Sequence, residues 1–468
     1  MSHRLLINGR LVEGAATLDV IDPTRATVFA QSPRADAAQA EQAIMAAKRA
    51  LRNWTALGYE GRRPYLERMA DAMAAHRDRI AETLTRERGG PIADCRVEVE
   101  RATVAIRHFA GQRLEDRVVR ETTQELIVEQ RYPQGVVVAI MPWNRPMTLL
   151  AFKFGPALIT GNTLIVKPAP STPLSTLLLG ELAAEIFPPG VVQTLVDAND
   201  LGPLLTSHPD VAHVSFTGST PTGKKVLGAA AGTLKRLTLE LGGNDAALVL
   251  DDADPEWAAE RIFASAMINA GQVCYAAKRV YAPRRLFDAV AGTLARRAAA
   301  AVLGDGLDPA TTMGPLQNRM QYEKVLEFIA SARAEGGTFL TGGEPTGQGY
   351  FIRPAIVTGL PDNARLVREE QFGPVLPVQV YDDLDDAIAQ ANDTEYGLGG
   401  TVWTSDVRRG IAIAGRIETG TIWVNQHMSL PFDVPFGGAK QSGIGLQNGR
   451  EGLEDVTQLR VLNARLAA

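Results

Sequence analysis

The sequence predicts an α/β protein of two domains, each a parallel sheet wound by helices, and three observations carry that prediction. Short β-rich runs alternate with apolar helical stretches. The alternation runs twice, on either side of a boundary near residue 240, and 468 residues exceed what one hydrophobic core usually supports. With 45% hydrophobic and 22% charged residues, and Gly and Pro spread along the chain, no segment reads as disordered. A net charge of -5 gives no basic field for a polyanion, which excludes nucleic acid as the main partner and favours small molecules. No apolar run approaches the roughly 18 residues that span a bilayer. The start, MSHRLLINGR, has no long apolar signal region, so a cytoplasmic protein with no membrane partner is expected. Cys95 and Cys274 are too few for a disulfide framework or a Cys-rich metal site, and a reducing compartment leaves both as thiols.

In chain order, residues 36–51 and 60–88 carry Ala, Leu, Ile and Met at helical spacing among charges and are expected to be amphipathic helices. Two β-rich runs fill 125–140, broken by Pro133 and Gly135. LIVKP (164–168), VVQTLV (191–196) and VAHVSF (211–216) follow, with a helical stretch over 175–187 among them. The second set runs through KRLTLEL (235–241), AALVL (246–250), a helix over 254–270 and KRVYAP (278–283). It continues in FGPVLPVQVY (372–381), DDAIAQAN (385–392), GTVWT (400–404) and GTIWVN (420–425). DVTQLRVLN (455–463) reads as a late strand that pairs with another part of the protein or with another subunit.

Residues 214–225, VSFTGSTPTGKK, hold Gly218, Gly223 and Lys224 in a G-x-x-x-x-G-K pattern. A triphosphate site needs Ser or Thr after the Lys to bind magnesium, and Lys225 stands there instead. What survives is a strand, a Gly turn and a helix start with Pro221 early in it, whose free N–H groups suit an anion. A turn with no ligand is the other reading. In INAGQVCYAAKR, Ala270 and Gly271 put Cys274 on a turn beyond an apolar helix, where a thiol meets a ligand or lies inert. In KRLTLELGGN, Leu237, Leu239 and Leu241 alternate with Thr238 and Glu240, so Glu240 lies on the face opposite the core, either placed to take a proton or simply solvated. MPWNRP (141–146) closes an apolar strand with a rigid turn, whose Asn144 amide can donate to an oxyanion or serve the turn alone. Thiol, base, amide donor and phosphate turn together specify covalent oxidation. No G-x-S-x-G elbow is present, and the six histidines form no catalytic or metal motif.

These residues carry a family likeness. Nearly the whole chain resembles the NAD(P)-dependent aldehyde dehydrogenase superfamily, in its non-acylating, hydrolytic branch. The motifs recur in the family's order: PWN (142–144), KP (167–168), FTGS (216–219), ELGGN (240–244), GQVC (271–274), EEQFGPV (369–375) and PFGGAKQSG (435–443). The resemblance implies a variant Rossmann cofactor domain over 1–111 and 134–241 and an α/β catalytic domain over 242–441. It further implies a β-ribbon oligomerisation element over 112–133 and 442–468, in a homodimer or homotetramer. By the same resemblance Cys274 attacks an aldehyde, Asn144 and the Cys274 N–H hold the oxyanion, and Glu240 activates the water that hydrolyses the thioester, with no metal. Trp143, Lys167, Gly218, Ser219, Glu370 and Phe372 would contact NAD or NADP. Arg145, Leu149, Phe152, Tyr275, Leu430 and Phe436 would line the substrate tunnel.

Three positions depart from the family pattern. Pro170 stands where many NAD-preferring relatives carry a ribose-binding Glu, and Ala198 where a Gly is frequent. Absence of a carboxylate at 170 admits NADP, with the balance slightly toward NAD. Arg145 replaces a common aromatic and either pairs with a carboxylate or phenolate of the substrate or points to solvent at the tunnel mouth. The remaining apolar and aromatic lining suggests an aromatic or medium aliphatic aldehyde. The rivals are a semialdehyde dehydrogenase whose acidic substrate is held by Arg145, and a dinucleotide-binding protein without catalysis.

Overall fold

The computed structural model describes residues 3–466. Its first sheet has eight strands in the order Arg10–Val12, Leu5–Ile7, Val192–Thr194, Thr163–Lys167, Val136–Ile140, Val211–Thr217, Arg236–Glu240 and Gly443–Ile444. The strands from Val192–Thr194 through Arg236–Glu240 are parallel. Val136–Ile140 and Thr163–Lys167 are buried along their whole length, as helices on both faces require. Later strands lie on both sides of Val136–Ile140, so the winding reverses there. In open α/β sheets the crevice at the carboxyl ends beside such a reversal is where ligands bind.

The second sheet runs Thr338–Thr341, Ala355–Thr358, Val375–Tyr381, Ala277–Pro283, Asp245–Val249, Gly399–Trp403 and Thr421–Val424, parallel except for its first pair. A separate antiparallel ribbon is made of Thr457–Arg465, Glu125–Pro133 and Arg117–Glu121, which gives the late strand its partner within the chain.

Three local expectations are corrected. Residues 60–88 form two helices, Gly58–Ala75 and Arg77–Arg88, because His76 leaves helical geometry (φ -105, ψ 13). Its backbone N–H still donates to the Ala72 carbonyl at 3.1 Å, and its Nδ1 lies 2.9 Å from the same oxygen. The stretch over 254–270 is helical only across Pro255–Met267 and then tightens into a short 3₁₀ turn, Ile268–Gly271. Gly443–Ile444, expected in the ribbon element, instead pairs with Leu239 and Glu240 at the edge of the first sheet. Two residues are too few to show a strand period, and that pairing brings the PFGGAKQSG segment beside Glu240.

Candidate active site

The sequence motifs converge where the two large sheets meet. Carboxyl ends of the first sheet carry Trp143 and Asn144, Lys167, the Gly218–Ser219 turn and Glu240; amino ends of the second carry Asp245, Cys274, Glu370 and Phe372. The Gly242–Gly243 link joins them. Gly243 N–H donates to Glu370 Oε1 at 3.1 Å, and a Cβ on Gly242 would lie 2.5 Å from Glu370 Oε2, so a side chain there would displace the Glu370 carboxylate.

Cys274 sits on a strained loop. Asn269, Ala270 and Gly271 take φ values of 51, 54 and 74 in succession, and each non-Gly residue in that region costs on the order of 1 kcal/mol or more. Gly271 has no alternative, since a Cβ would stand 2.4 Å from the Gly373 carbonyl. Buried Gln272 latches the loop by donating to Asn269 O (2.8 Å) and accepting from Gln317 N–H (2.9 Å). Asn269 Nδ2 donates to Asn144 O at 3.1 Å, and Asn144 Nδ2 donates to Gln272 O at 2.9 Å. One N–H of the Asn144 amide is thereby used and the other is left over. The Cys274 backbone N–H makes no hydrogen bond among the described residues. Lys278 Nζ donates to the carbonyls of Val273 (2.7 Å) and Cys274 (3.0 Å). Burial pushes the Cys274 thiol up to about 12; the Lys278 ammonium opposes this, and Glu240, Glu370 and Asp245 reinforce it.

Glu240 is not the solvated residue that strand alternation allows. It is 3% exposed, the Gly443–Ile444 strand pairs along its edge of the sheet, and its Oε1 has no hydrogen-bond partner. Burial pushes its carboxyl up to about 8, against the pull of Lys153 and with the help of Asp455. Lys153 donates to Ser215 Oγ at 2.9 Å and is lowered to about 7 by burial. Asp455 accepts a hydrogen bond from Thr238. Sequence reasoning missed Lys153, Lys278 and Asp455. The two lysines did leave a signal: each interrupts an apolar run, LLAFKFG and YAAKRVY, where a cation must find partners.

The cofactor candidates fall on one side of the thiol loop. Ser219 is the residue preceding the helix Thr220–Ala230, in extended geometry, with Gly218 N–H held on Glu240 O at 3.0 Å. The first N–H groups of that helix have no intrahelical acceptor. Phe372, at φ 49, stands edge-on to Trp143 with ring centroids 5.5 Å apart. Lys167 is paired with buried Asp197, Nζ to Oδ1 2.5 Å, a partner the sequence did not disclose. A free helix start for a diphosphate, a carboxylate at Glu370 and an aromatic pair fit a dinucleotide.

On the other side, Arg145, Leu149 and Phe152 follow one another at helical spacing along the start of Pro146–Ile159 and share a face. Tyr275, Leu430 and Phe436 belong to one apolar cluster with Trp423, against which half-buried Cys274 packs. Arg145 does not point to solvent: its side chain is 12% exposed and lies 3.8 Å from Glu98. The turn bearing it rests on a buried ion pair, Arg88 Nη1 to Glu98 Oε2, at 2.5 Å. Arg88 also donates to Asn144 O (3.4 Å), and Glu98 Oε1 accepts from Met147 N–H (3.1 Å). Glu98→Ala leaves the Arg88 guanidinium buried without its carboxylate and is expected to destabilise the fold by about 3–5 kcal/mol. Urea unfolding measures it; a loss under about 1 kcal/mol would mean that water replaces the carboxylate.

A doubly wound sheet whose crevice faces a strained thiol loop defines the class: a dinucleotide-dependent oxidoreductase. Residues 11–462 match the aldehyde dehydrogenase family, and the chain belongs to it. Betaine aldehyde dehydrogenase of Agrobacterium fabrum is 37% identical over 466 residues, covering 97% of this chain and 94% of that protein. The solved betaine aldehyde dehydrogenase of Staphylococcus aureus in complex with NAD+ superposes with a TM-score of 0.97 at 32% identity, covering 100% of this chain and 96% of that one. An E. coli structure described as an NADP dependent enzyme superposes with a TM-score of 0.97 at 36% identity, covering 99% and 98%. The protein is an NAD(P)-dependent aldehyde dehydrogenase. No helix among the described residues is long and apolar enough to cross a membrane.

Proposed function

We propose that this enzyme is of the hydrolytic kind, turning an aldehyde into its carboxylic acid through a thioester on Cys274. The observation that carries the reading is Glu240, a buried carboxyl raised toward neutrality whose Oε1 no protein group bonds. A carboxylate kept free in that way suits a base for water.

In this reading the Cys274 thiol loses its proton to solvent, and sulfur bonds to the aldehyde carbon. The left-over N–H of Asn144 and the N–H of Cys274 hold the resulting oxyanion. As the carbonyl re-forms, hydride leaves the carbon and a thioester remains; bound NAD or NADP supplies the hydride acceptor. Glu240 then takes a proton from water, the water oxygen bonds to the acyl carbon, and the C–S bond breaks to return the thiolate. The start of the helix Thr220–Ala230, with Gly218 and Ser219, would hold the diphosphate. Glu370, and Lys167 together with Asp197, would take ribose hydroxyls, and Trp143 and Phe372 would flank the nicotinamide side. The Asp197 carboxylate on Lys167 opposes a further phosphate there, which favours NAD although position 170 is Pro.

Phe152, Tyr275, Leu430 and Phe436 suit the apolar body of an aromatic or medium aliphatic aldehyde. The ribbon edge exposes Val118, Val119, Val461 and Leu462, which fits assembly as a homodimer or homotetramer. Two free thiols accord with a cytoplasmic setting. The test is absorbance of reduced nicotinamide for the purified protein with NAD or NADP and a panel of aliphatic, aromatic and acid-bearing aldehydes, without coenzyme A. Aldehyde-dependent reduction with stoichiometric carboxylic acid is expected. Reduction that starts only on adding coenzyme A would overturn the hydrolytic reading.

A further inference from the structure

We infer that the substrate tunnel carries an anion-binding pair, Arg145 and Arg101, and that the aldehyde it takes bears a carboxylate or similar oxyanion; this rests on the pocket assignment proposed above.

Arg145 directly follows Asn144 at the head of the pocket-lining helix. Among the described residues its guanidinium makes no hydrogen bond, although Nε is fully enclosed. Its nearest acid is already engaged. Glu98 Oε2, 3.8 Å away, receives Arg88 at 2.5 Å, and Oε1 receives the Met147 N–H at 3.1 Å. A charge mostly withdrawn from water needs hydrogen-bonded partners, and a planar fork of N–H donors is matched by a carboxylate.

Arg101 lies three residues beyond Glu98 on the helix Ile92–Ala110 and touches Leu430 and Phe432. Its Nη2 donates to the carbonyl of Leu430 at 2.5 Å, and its guanidinium stacks 5.2 Å over the Phe432 ring. Phe432 in turn packs against Phe152 with centroids 6.0 Å apart. Arg101 has no carboxylate partner among the described residues, and burial lowers its pKa, as does the like charge of Arg145. Arg88 and Glu98 cancel, so two positive charges stand beside apolar walls with no further acid among the described residues to match them. Each also acts on the Tyr275 phenol, next to the nucleophile. An anionic substituent on the aldehyde would relieve the repulsion between the two guanidiniums and occupy the idle donors. A quaternary ammonium aldehyde such as betaine aldehyde would add a third positive charge.

Three para-substituted benzaldehydes test this, bearing carboxylate, methyl ester or trimethylammonium, with succinic semialdehyde, butanal and betaine aldehyde as the aliphatic set. The wild-type enzyme is expected to rank kcat/KM as anion over neutral over cation, with about 100-fold between the extremes. Arg145→Gln should lower the anion-to-neutral ratio about tenfold or more, mainly through KM, and Arg145→Lys should restore part of it. Arg101→Gln should act in the same direction, which covers failure of the first variant to fold. Equal losses for charged and neutral aldehydes, or a preference for the cations, would overturn the pair. If no aldehyde is oxidised, the dehydrogenase mechanism itself fails. Calorimetric binding of terephthalate against its dimethyl ester, in wild type and Arg145→Gln, then decides the anion site, and equal affinities would dismiss it.

Discussion

Cys274→Ala is expected to lower aldehyde oxidation by roughly 10⁴- to 10⁶-fold while NAD still binds within about twofold of wild type. No other sulfur can take its place: Cys95 is buried and held between the Arg88 guanidinium (3.0 Å) and the Gly90 carbonyl (3.7 Å). Nicotinamide absorbance reads the first quantity and cofactor titration by fluorescence reads the second. Oxidation that survives the substitution would dismiss the thioester route, and loss of both quantities would mean that the loop had collapsed rather than lost a nucleophile. The resting thiol, pushed up to about 12, is almost wholly protonated near neutrality. Alkylation by iodoacetamide should therefore be slow at neutral pH and gain about tenfold per pH unit on the alkaline side. Fast, pH-independent alkylation near neutrality would contradict a thiol held protonated by burial.

What was legible in the sequence is what neighbouring residues write together. VVVAI is a continuous apolar run and TLIVK holds a shorter one between Thr163 and Lys167, which a strand covered on both faces explains, and both are such strands. The thiol could be singled out because small residues flank it on a turn, and the three left-handed residues at 269–271 account for them. What was not legible depends on residues far apart. Alternation puts Glu240 on the face away from the leucines, but that the carboxyl is buried there, with Asp455 acting on it from some 200 positions on, is a matter of distant residues. Arg145 reads as a tunnel-mouth residue until Glu98, 3.8 Å from it, is seen to be engaged by Arg88 from an earlier helix. The break at His76 escaped because apolar spacing continues through it, so period alone cannot mark a single residue out of helical geometry.

Glu240→Gln is expected to separate the two halves of the reaction. Attack by Cys274 and hydride departure need no base for water, so about one equivalent of reduced nicotinamide should form rapidly per active site. Turnover should then fall by roughly 10²- to 10⁴-fold as the thioester accumulates, which intact-mass measurement detects as an acyl adduct. Loss of the rapid phase along with turnover would instead assign Glu240 to an earlier step. The pH dependence follows from the same carboxyl. Its proton-accepting form predominates only above about 8, so wild-type hydrolysis should rise with pH and level off beyond that value. Asp455, ionised at that pH, disfavours the carboxylate form by its charge, so Asp455→Asn should move the rising limb to lower pH. A structural effect of that change would scale the whole profile without displacing it. A displacement of the limb toward lower pH on removal of the Asp455 charge is thus the signature that Glu240 is the group titrating.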